Sequence, residues 1–138
     1  MNRSDLQILA DTRIADAQAL IDAGRWAAAY YLLGYAVECA LKVCVAEEFH
    51  EHEIPTKDLV NDFYTHRLDK LLAISRLKPP FEERRVRDPQ FEKSWDRLKD
   101  WTEAARYNHT ITEEEARLLF MAVTDASFGV LTWAKELW

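Results

Sequence analysis

The sequence predicts an all-α protein, an antiparallel up-and-down bundle of four main helices plus a short one. Only three glycines and four prolines interrupt its 138 residues, so long elements are expected. Apolar residues recur at helical spacing, and no stretch alternates as a half-buried strand would. Its composition, 49% hydrophobic and 30% charged, is that of an ordinary globular protein. We therefore expect a single helical domain over residues 1–138.

The first two predicted helices form a hairpin. Ser4 and Gln7 have the spacing of a capping box, and apolar residues then recur at helical spacing up to Gly24. This glycine is expected to end the helix, because a left-handed residue commonly closes one. Arg25 and Trp26 are expected to begin the next helix at once, so the two must be antiparallel neighbours. The second helix contains "AAYYLLGYAVECALKVCVAEEF". It is apolar on most faces, which places it in the middle of the domain.

A short helix around residues 59–64 and a longer one follow. Thr65 is expected to cap the segment "HRLDKLLAISRL", and Pro79 with Pro80 is expected to end it. The next segment, "FEERRVR", is expected to be a loop or a single turn.

The last part of the chain is predicted to hold two more helices. Asp88 and Pro89 have the pattern of a helix start, and the apolar stripe of that helix continues to Ala105. Thr112 and Glu115 form a second capping box. One long last helix is expected to follow it, to residue 134.

Charge and cysteine usage limit the class of protein. The net charge of −6 disfavours a broad phosphate-binding surface but allows a local basic pocket. Cys39 and Cys44 point to different faces of one helix and are expected to be buried free thiols. The first residues lack the apolar segment of a signal peptide. Glu38 and Lys42 argue against a membrane span, so a cytoplasmic protein without membrane contact is expected.

One face of the second helix carries the polar residues that need an explanation. Tyr31, Tyr35, Glu38 and Lys42 are spaced four, three and four apart, which aligns them in a stripe. An ordinary ion pair between Glu38 and Lys42 on a half-exposed face is one interpretation. The other is that a buried carboxylate requires a cation from a distant segment. The hypothesis that follows is that Arg106 meets Glu38 across the bundle.

The segment "ARYNHT" supplies that arginine and three more candidate site residues. Arg106 is expected in the last turn of its helix, where a cation suits the helix dipole. Tyr107, Asn108 and His109 follow in a turn. This grouping can bind a phosphate or position an RNA backbone, and a histidine can transfer a proton near neutral pH. The alternative is a capped turn with a buried Arg106–Glu38 pair and an exposed His109.

Two further groups of residues carry expectations. His50 and His52 lie among four glutamates, but their spacing does not match that of zinc ligands, and a solvated acidic loop is expected. No metal or cofactor is expected. Trp133 and Trp138, with two leucines, leave an apolar end on the last helix that a second copy of the chain would cover. This end favours a homodimer.

Three stretches together resemble the HEPN domain family. They are "AAYYLLGYAVECALKV", "THRLDKLL" and "WTEAARYNHTITEEEA", and their order and spacing cover nearly the whole chain. The resemblance implies a helical bundle that forms homodimers and associates with nucleotides or RNA. It also implies a nucleotidyltransferase partner in a toxin–antitoxin or defence locus. In this family a histidine near this position accompanies a leucine, as His66 and Leu68 do here. The alternative is that His66 is only a histidine of the capping turn, against the edge of the core.

The ribonuclease motif of the family is altered in this sequence. Active members are metal-independent ribonucleases in which an arginine and a histidine, with four to six residues between them in the sequence, meet at the dimer interface. Here only two residues separate Arg106 from His109. Arg106 and Tyr107 match the "RY" form of such domains. Three interpretations follow: a binding module that uses Tyr35, Glu38, Lys42, Arg106 and Tyr107; a ribonuclease with Arg106 and His109; or a structural bundle.

Overall fold

The computed structural model describes residues 1–138, and the chain is all-helical. It contains eight α-helices and one 3₁₀ helix, Glu103–Tyr107, which is more elements than the sequence predicted. The α-helices are α1 (Arg3–Asp22), α2 (Trp26–Ala46), α3 (Lys57–Phe63), α4 (Leu68–Ile74), α5 (Lys78–Arg87), α6 (Pro89–Leu98), α7 (Glu113–Thr124) and α8 (Val130–Lys135).

Helix α2 is the central element of the fold. Helices α1, α3, α4, α7, α8 and the 3₁₀ helix all pack against it, and it supplies the largest share of the buried core. Its length and hydropathy would also suffice for a bilayer span, but two thirds of its apolar window lie inside the fold. The prediction of a central helix is confirmed. Gly24 has a φ of +72° at the end of α1, as expected of a residue that closes a helix.

The start of α1 differs from the prediction. Its capping box joins Asn2 and Asp5, not Ser4 and Gln7. The Asn2 side chain accepts a hydrogen bond from the Asp5 backbone N–H, and the Asp5 carboxylate accepts one from the Asn2 N–H. Asparagine and serine are comparable caps, so the helix begins at the earlier of the two signals.

The segment expected to be a loop is helix α5. The prolines do not end the preceding helix, since α4 already ends at Ile74. Pro79 and Pro80 lie instead in the first turn of α5, where a residue without an N–H group loses no helical hydrogen bond. The exposed, charged surface of α5 carries ion pairs, among them those that Arg85 makes with Glu82 and Glu92. Phe81 anchors the helix in the core.

The expected last helix is two helices separated by a turn. The Asp125 carboxylate accepts hydrogen bonds from the backbone N–H groups of Ser127 and Phe128. This side chain competes with the helical backbone for its donors. A Cβ at Gly129 would lie 2.6 Å from backbone atoms of Asp125, so the close turn requires glycine there. The capping box of Thr112 and Glu115 at the start of α7 is confirmed.

The apolar end of the chain is covered within one subunit. Trp133 is buried against Phe81 and Phe91, with ring centroids 5.9 and 5.3 Å apart. Leu131 is buried as well, and Leu137 and Trp138 pack partly buried against the core. The expectation of an apolar end that requires a second copy is therefore wrong, because α5 and α6 supply the cover.

Helix α6 ends at Leu98, earlier than its apolar stripe suggests. Trp101 is the reason, because its ring lies directly on α2 at Gly34. A Cβ at Gly34 would come within 2.1 Å of the indole ring. The chain turns at this contact and continues as the 3₁₀ helix, which carries Arg106 in its last turn.

Candidate functional site

Glu38, Lys42 and His66 form a hydrogen-bonded group that we call the Glu38 cluster. The Glu38 side chain is 2% exposed, and its Oε1 accepts hydrogen bonds from Lys42 Nζ at 2.8 Å and from His66 Nδ1 at 2.9 Å. Its Oε2 is buried without a hydrogen-bond partner. Lys42 also lies over the Phe63 ring, 5.6 Å from its centroid. The carboxylate in the apolar helix is thus compensated by one cation and one imidazole.

His66 reaches this cluster from the turn between α3 and α4. Thr65 does not cap α4: its hydroxyl accepts the backbone N–H of Arg67 at 3.2 Å, and Arg67 takes the N-cap position. The turn thereby presents the imidazole to Glu38. Since a carboxylate only accepts hydrogen bonds, Nδ1 is the donor and Nε2 remains free on a ring that is 48% exposed.

The expected contact between Arg106 and Glu38 does not form. Arg106 is exposed, and its guanidinium lies 5.0 Å from the centroid of its neighbour Tyr107. The physical reason is that Glu38 Oε1 already accepts hydrogen bonds from Lys42 Nζ and His66 Nδ1. The pair of the first interpretation forms between Glu38 and Lys42, but these side chains are only 2% and 12% exposed and do not lie on a half-exposed face. The second interpretation is wrong in naming Arg106, because the partner that comes from a distant segment is His66.

Arg106 instead lines a groove at the start of α2. Two adjoining depressions of about 310 and 330 Å³ share Ala27, Ala28 and His109. We call the combined surface the Arg106 groove. Its lining residues are Gly24, Arg25, Trp26, Ala27, Ala28, Tyr31, Arg106, Tyr107, Asn108, His109 and Ile111.

The cations of this groove have no internal partner. Most arginines of the chain pair with a carboxylate, as Arg84 does with Asp88. Arg25 and Arg106 are both exposed and make no ion pair and no side-chain hydrogen bond. Tyr107 adds an aromatic side chain that is 76% exposed. The groove therefore offers two free guanidinium groups and an aromatic ring to a ligand.

The turn that presents these residues is held by its own hydrogen bonds. The Asn108 Oδ1 accepts from the backbone N–H and the hydroxyl of Thr110, at 2.9 and 2.8 Å. The capping box of α7 begins two residues later. Because the Asn108 oxygen is occupied, only its amide N–H groups remain for a ligand. His109 is exposed beside it and lines both depressions.

Aromatic stacking connects the groove with the Glu38 cluster. The Tyr31 ring stacks on Trp101 at 6.0 Å and on Tyr35 at 6.3 Å, with an interplanar angle of 2° to Tyr35. Tyr35 is one helical turn before the cluster. Burial, followed by the nearby Cys39 and Glu38, raises the pKa of Tyr35. The four residues of the predicted stripe therefore lie on one continuous face of α2. Tyr31 lies at the end that lines the Arg106 groove, and Glu38 and Lys42 lie at the buried end.

Other polar groups of the chain do not join either region. Cys39 and Cys44 are buried and unbonded, as expected, and burial raises the pKa of each thiol to about 11. They are therefore protonated at neutral pH and poor nucleophiles. His50 and His52 lie exposed in the loop between α2 and α3. No cluster of three metal-ligating side chains occurs.

The structure divides the sequence-predicted site residues into two groups. Glu38, Lys42 and His66 come together, while Arg106, Tyr107, Asn108 and His109 line the groove, with Tyr35 between the groups. Sequence reasoning missed Arg25, because no local pattern shows that the α1–α2 turn lies beside the 3₁₀ helix. Its position directly after Gly24, in the turn between two helices, was the available signal.

Comparison with family models, with curated proteins and with solved structures gives no match to this chain.

Proposed function

We propose that the chain is a HEPN-like module that binds a nucleotide or single-stranded RNA in the Arg106 groove. The observation that carries the proposal is the pair of unpaired guanidiniums, Arg25 and Arg106, in one groove of a chain with a net charge of −6. Seven of the eleven arginines make an ion pair with a carboxylate, and Arg25 and Arg106 are two of the four that do not. A guanidinium presents parallel N–H donors that match a phosphate.

The aromatic residues support a nucleotide ligand rather than a simple anion. Tyr107 is 76% exposed and lies beside the Arg106 guanidinium. Single-stranded RNA is bound by such combinations of cationic contacts and aromatic rings on which bases stack. The free amide N–H groups of Asn108 can donate to a base edge or to a phosphate.

The proposal extends to the arrangement and partners that the resemblance implies. The chain works in the cytoplasm as a homodimer of antiparallel HEPN-like bundles, with a nucleotidyltransferase-type protein, in a toxin–antitoxin or defence setting. Support comes from the three stretches that carry the resemblance; two of them supply residues of the groove, including Arg106 but not Arg25. Sedimentation equilibrium of the purified chain tests the dimer, and a monomer at micromolar concentration would contradict it.

Salt-dependent binding of RNA tests the proposal. Fluorescence anisotropy with a short labelled oligouridylate gives the affinity at several salt concentrations. Each phosphate contact contributes about 0.7 to the slope of log K against log salt for a single strand. Arg106→Gln is therefore expected to weaken binding and to lower this slope by about 0.7.

Arg87→Gln is the matched control for this experiment. Arg87 is exposed and unpaired like Arg106, but it lies at the end of α5, outside the groove. The variant should bind like the wild type. Equal loss of affinity in both variants would show only a general effect of charge, and no binding by the wild type would end the proposal.

A second candidate function is metal-independent RNA cleavage. It is favoured by the fact that Arg106 and His109 line the same depression. Arg106 would stabilise the charge developing on the phosphate, and His109 would act as acid or base. Wild type and His109→Ala, incubated with RNA and a chelator, distinguish this activity from binding alone. Equal, negligible cleavage by both proteins would exclude it.

A further inference from the structure

A second groove lies between α6 and α7 and approaches the Arg106 groove at Ile111, which lines both surfaces. Four polar residues of α6 line one wall at helical spacing: Gln90, Lys93, Ser94 and Arg97. Four apolar side chains complete it, Leu118, Met121, Ala122 and Phe128, in a depression of about 220 Å³. A neighbouring depression shares Arg97 and Leu118 and continues to Tyr30. We call this surface the α6–α7 groove.

The cations of this wall are the two basic residues within α6, and both are free. Lys93 and Arg97 are exposed and make no ion pair. The acidic residues of the same helix face elsewhere, because Glu92 pairs with Arg85 and Asp96 with Lys99. The helix therefore segregates its charges and presents Lys93 and Arg97 to the groove, while α7 contributes one carboxylate, Glu115, to the neighbouring depression.

Ser94 of α6 and Met121 of α7 line the groove from its two sides. Ser94 is a small polar side chain, 3% exposed. Beside it, the half-exposed Met121 provides a flexible apolar surface of the kind used to accommodate partner side chains.

We propose that the α6–α7 groove docks an acidic amphipathic segment of a partner protein. Its carboxylates would pair with Lys93 and Arg97, and an apolar side chain would enter the depression. The groove is open and smaller than the cavities that enclose small molecules, which favours a side chain delivered by a larger partner. The charge of the wall is opposite to that of the segment, and such complementarity sets specificity and association rate.

A pair of designed peptides tests this surface. The first has leucines at the i, i+3, i+4 and i+7 spacing of one helical face and glutamates beside them; the second has lysine at every glutamate position. Fluorescence anisotropy is expected to show about tenfold tighter binding of the acidic peptide by the wild type. Lys93→Glu/Arg97→Glu should abolish this preference.

Lys57→Glu/Lys70→Glu is the matched control, because both lysines are exposed and unpaired and the change in net charge is the same. It should keep the preference. Equal binding of the two peptides, or equal loss in both variants, would overturn the proposal. Concentration-dependent self-association of the wild type that Lys93→Glu/Arg97→Glu removes would also overturn it, since the occupant would be a second copy. Circular dichroism checks that both variants fold.

Discussion

The Glu38 cluster and the Arg106 groove occupy the same face of α2, with Tyr31 and Glu38 about 10 Å apart along the helix. In the cluster, a buried carboxylate is matched inside the chain by Lys42 and His66. In the groove, the guanidinium of Arg106 has no carboxylate partner. A charge that is satisfied internally stabilises and specifies the fold, whereas a charge left free on a shaped surface is available to a ligand.

This contrast predicts that substitutions in the cluster change stability and substitutions in the groove change binding. The two regions are linked by the stack of Trp101, Tyr31 and Tyr35. Substitutions at that stack should affect both.

The largest effect is expected for Lys42→Met. The substitution leaves the Glu38 carboxylate with only the imidazole as a partner, and its Oε2 already has none. Breaking a buried ion pair by removing one partner costs about 3 kcal/mol. Urea denaturation should show a loss of that size in the free energy of unfolding.

Glu38→Leu/Lys42→Met is the control for this substitution. Replacing both charges by apolar side chains of similar size should restore most of the stability, because no uncompensated charge remains. If Lys42→Met costs less than about 1 kcal/mol, the pair is an ordinary surface pair and the contrast between the regions weakens.

Gly34→Ala is expected to have the next largest effect. Its Cβ would lie 2.1 Å from the Trp101 ring, so the ring and the 3₁₀ helix must shift. Overpacking of this kind costs about 2 kcal/mol, and the shift should also weaken RNA binding in the groove. Denaturation and anisotropy measure the two effects together.

Gly34→Ala/Trp101→Leu removes the clash and should be more stable than Gly34→Ala alone; the opposite order would show that the indole does not set this position.

His66→Ala should destabilise the chain by about 1 kcal/mol, because it removes one hydrogen bond to a buried carboxylate from a ring that is half exposed. Thermal or urea denaturation measures this change. His52→Ala, in the exposed α2–α3 loop, is the matched control and should change stability little. Equal effects of the two substitutions would mean that the imidazole contributes nothing to the cluster.

The smallest effect on stability is expected for Arg106→Gln, within about 0.5 kcal/mol of the wild type. The side chain is exposed and contacts only its neighbour Tyr107. Denaturation checks this value, and the anisotropy titration with oligouridylate is expected to show the loss of binding in the same protein. A loss of stability as large as that of Lys42→Met would contradict the separation of the two regions.

Local patterns predicted much of the fold because they act over a few residues. The apolar repeats, Gly24 and the capping box of Thr112 and Glu115 all had the expected structural consequences. The errors arose where two local signals competed. Pro79 and Pro80 can end one helix or begin another. The charged residues after them favoured a loop in the sequence, whereas in the structure they lie on a helix whose surface carries ion pairs of Arg85 with Glu82 and Glu92.

The candidate site was only partly predictable for a different reason. Spacing along α2 correctly aligned Tyr31, Tyr35, Glu38 and Lys42, since a single helix fixes that geometry. Which distant residue meets Glu38 depends on how the other helices pack, and sequence spacing contains no such information. The sequence suggested Arg106, whereas the α3–α4 turn brings His66 to the carboxylate.

Double-mutant cycles measured by urea denaturation test the central claim most directly, namely that Arg106 is free because Glu38 is neutralised by others. Glu38→Gln is combined with His66→Asn in one cycle and with Arg106→Gln in a second. We expect a coupling energy of about 1 kcal/mol in the first cycle and additivity within about 0.5 kcal/mol in the second. Strong coupling between Glu38 and Arg106, with none between Glu38 and His66, would contradict the account.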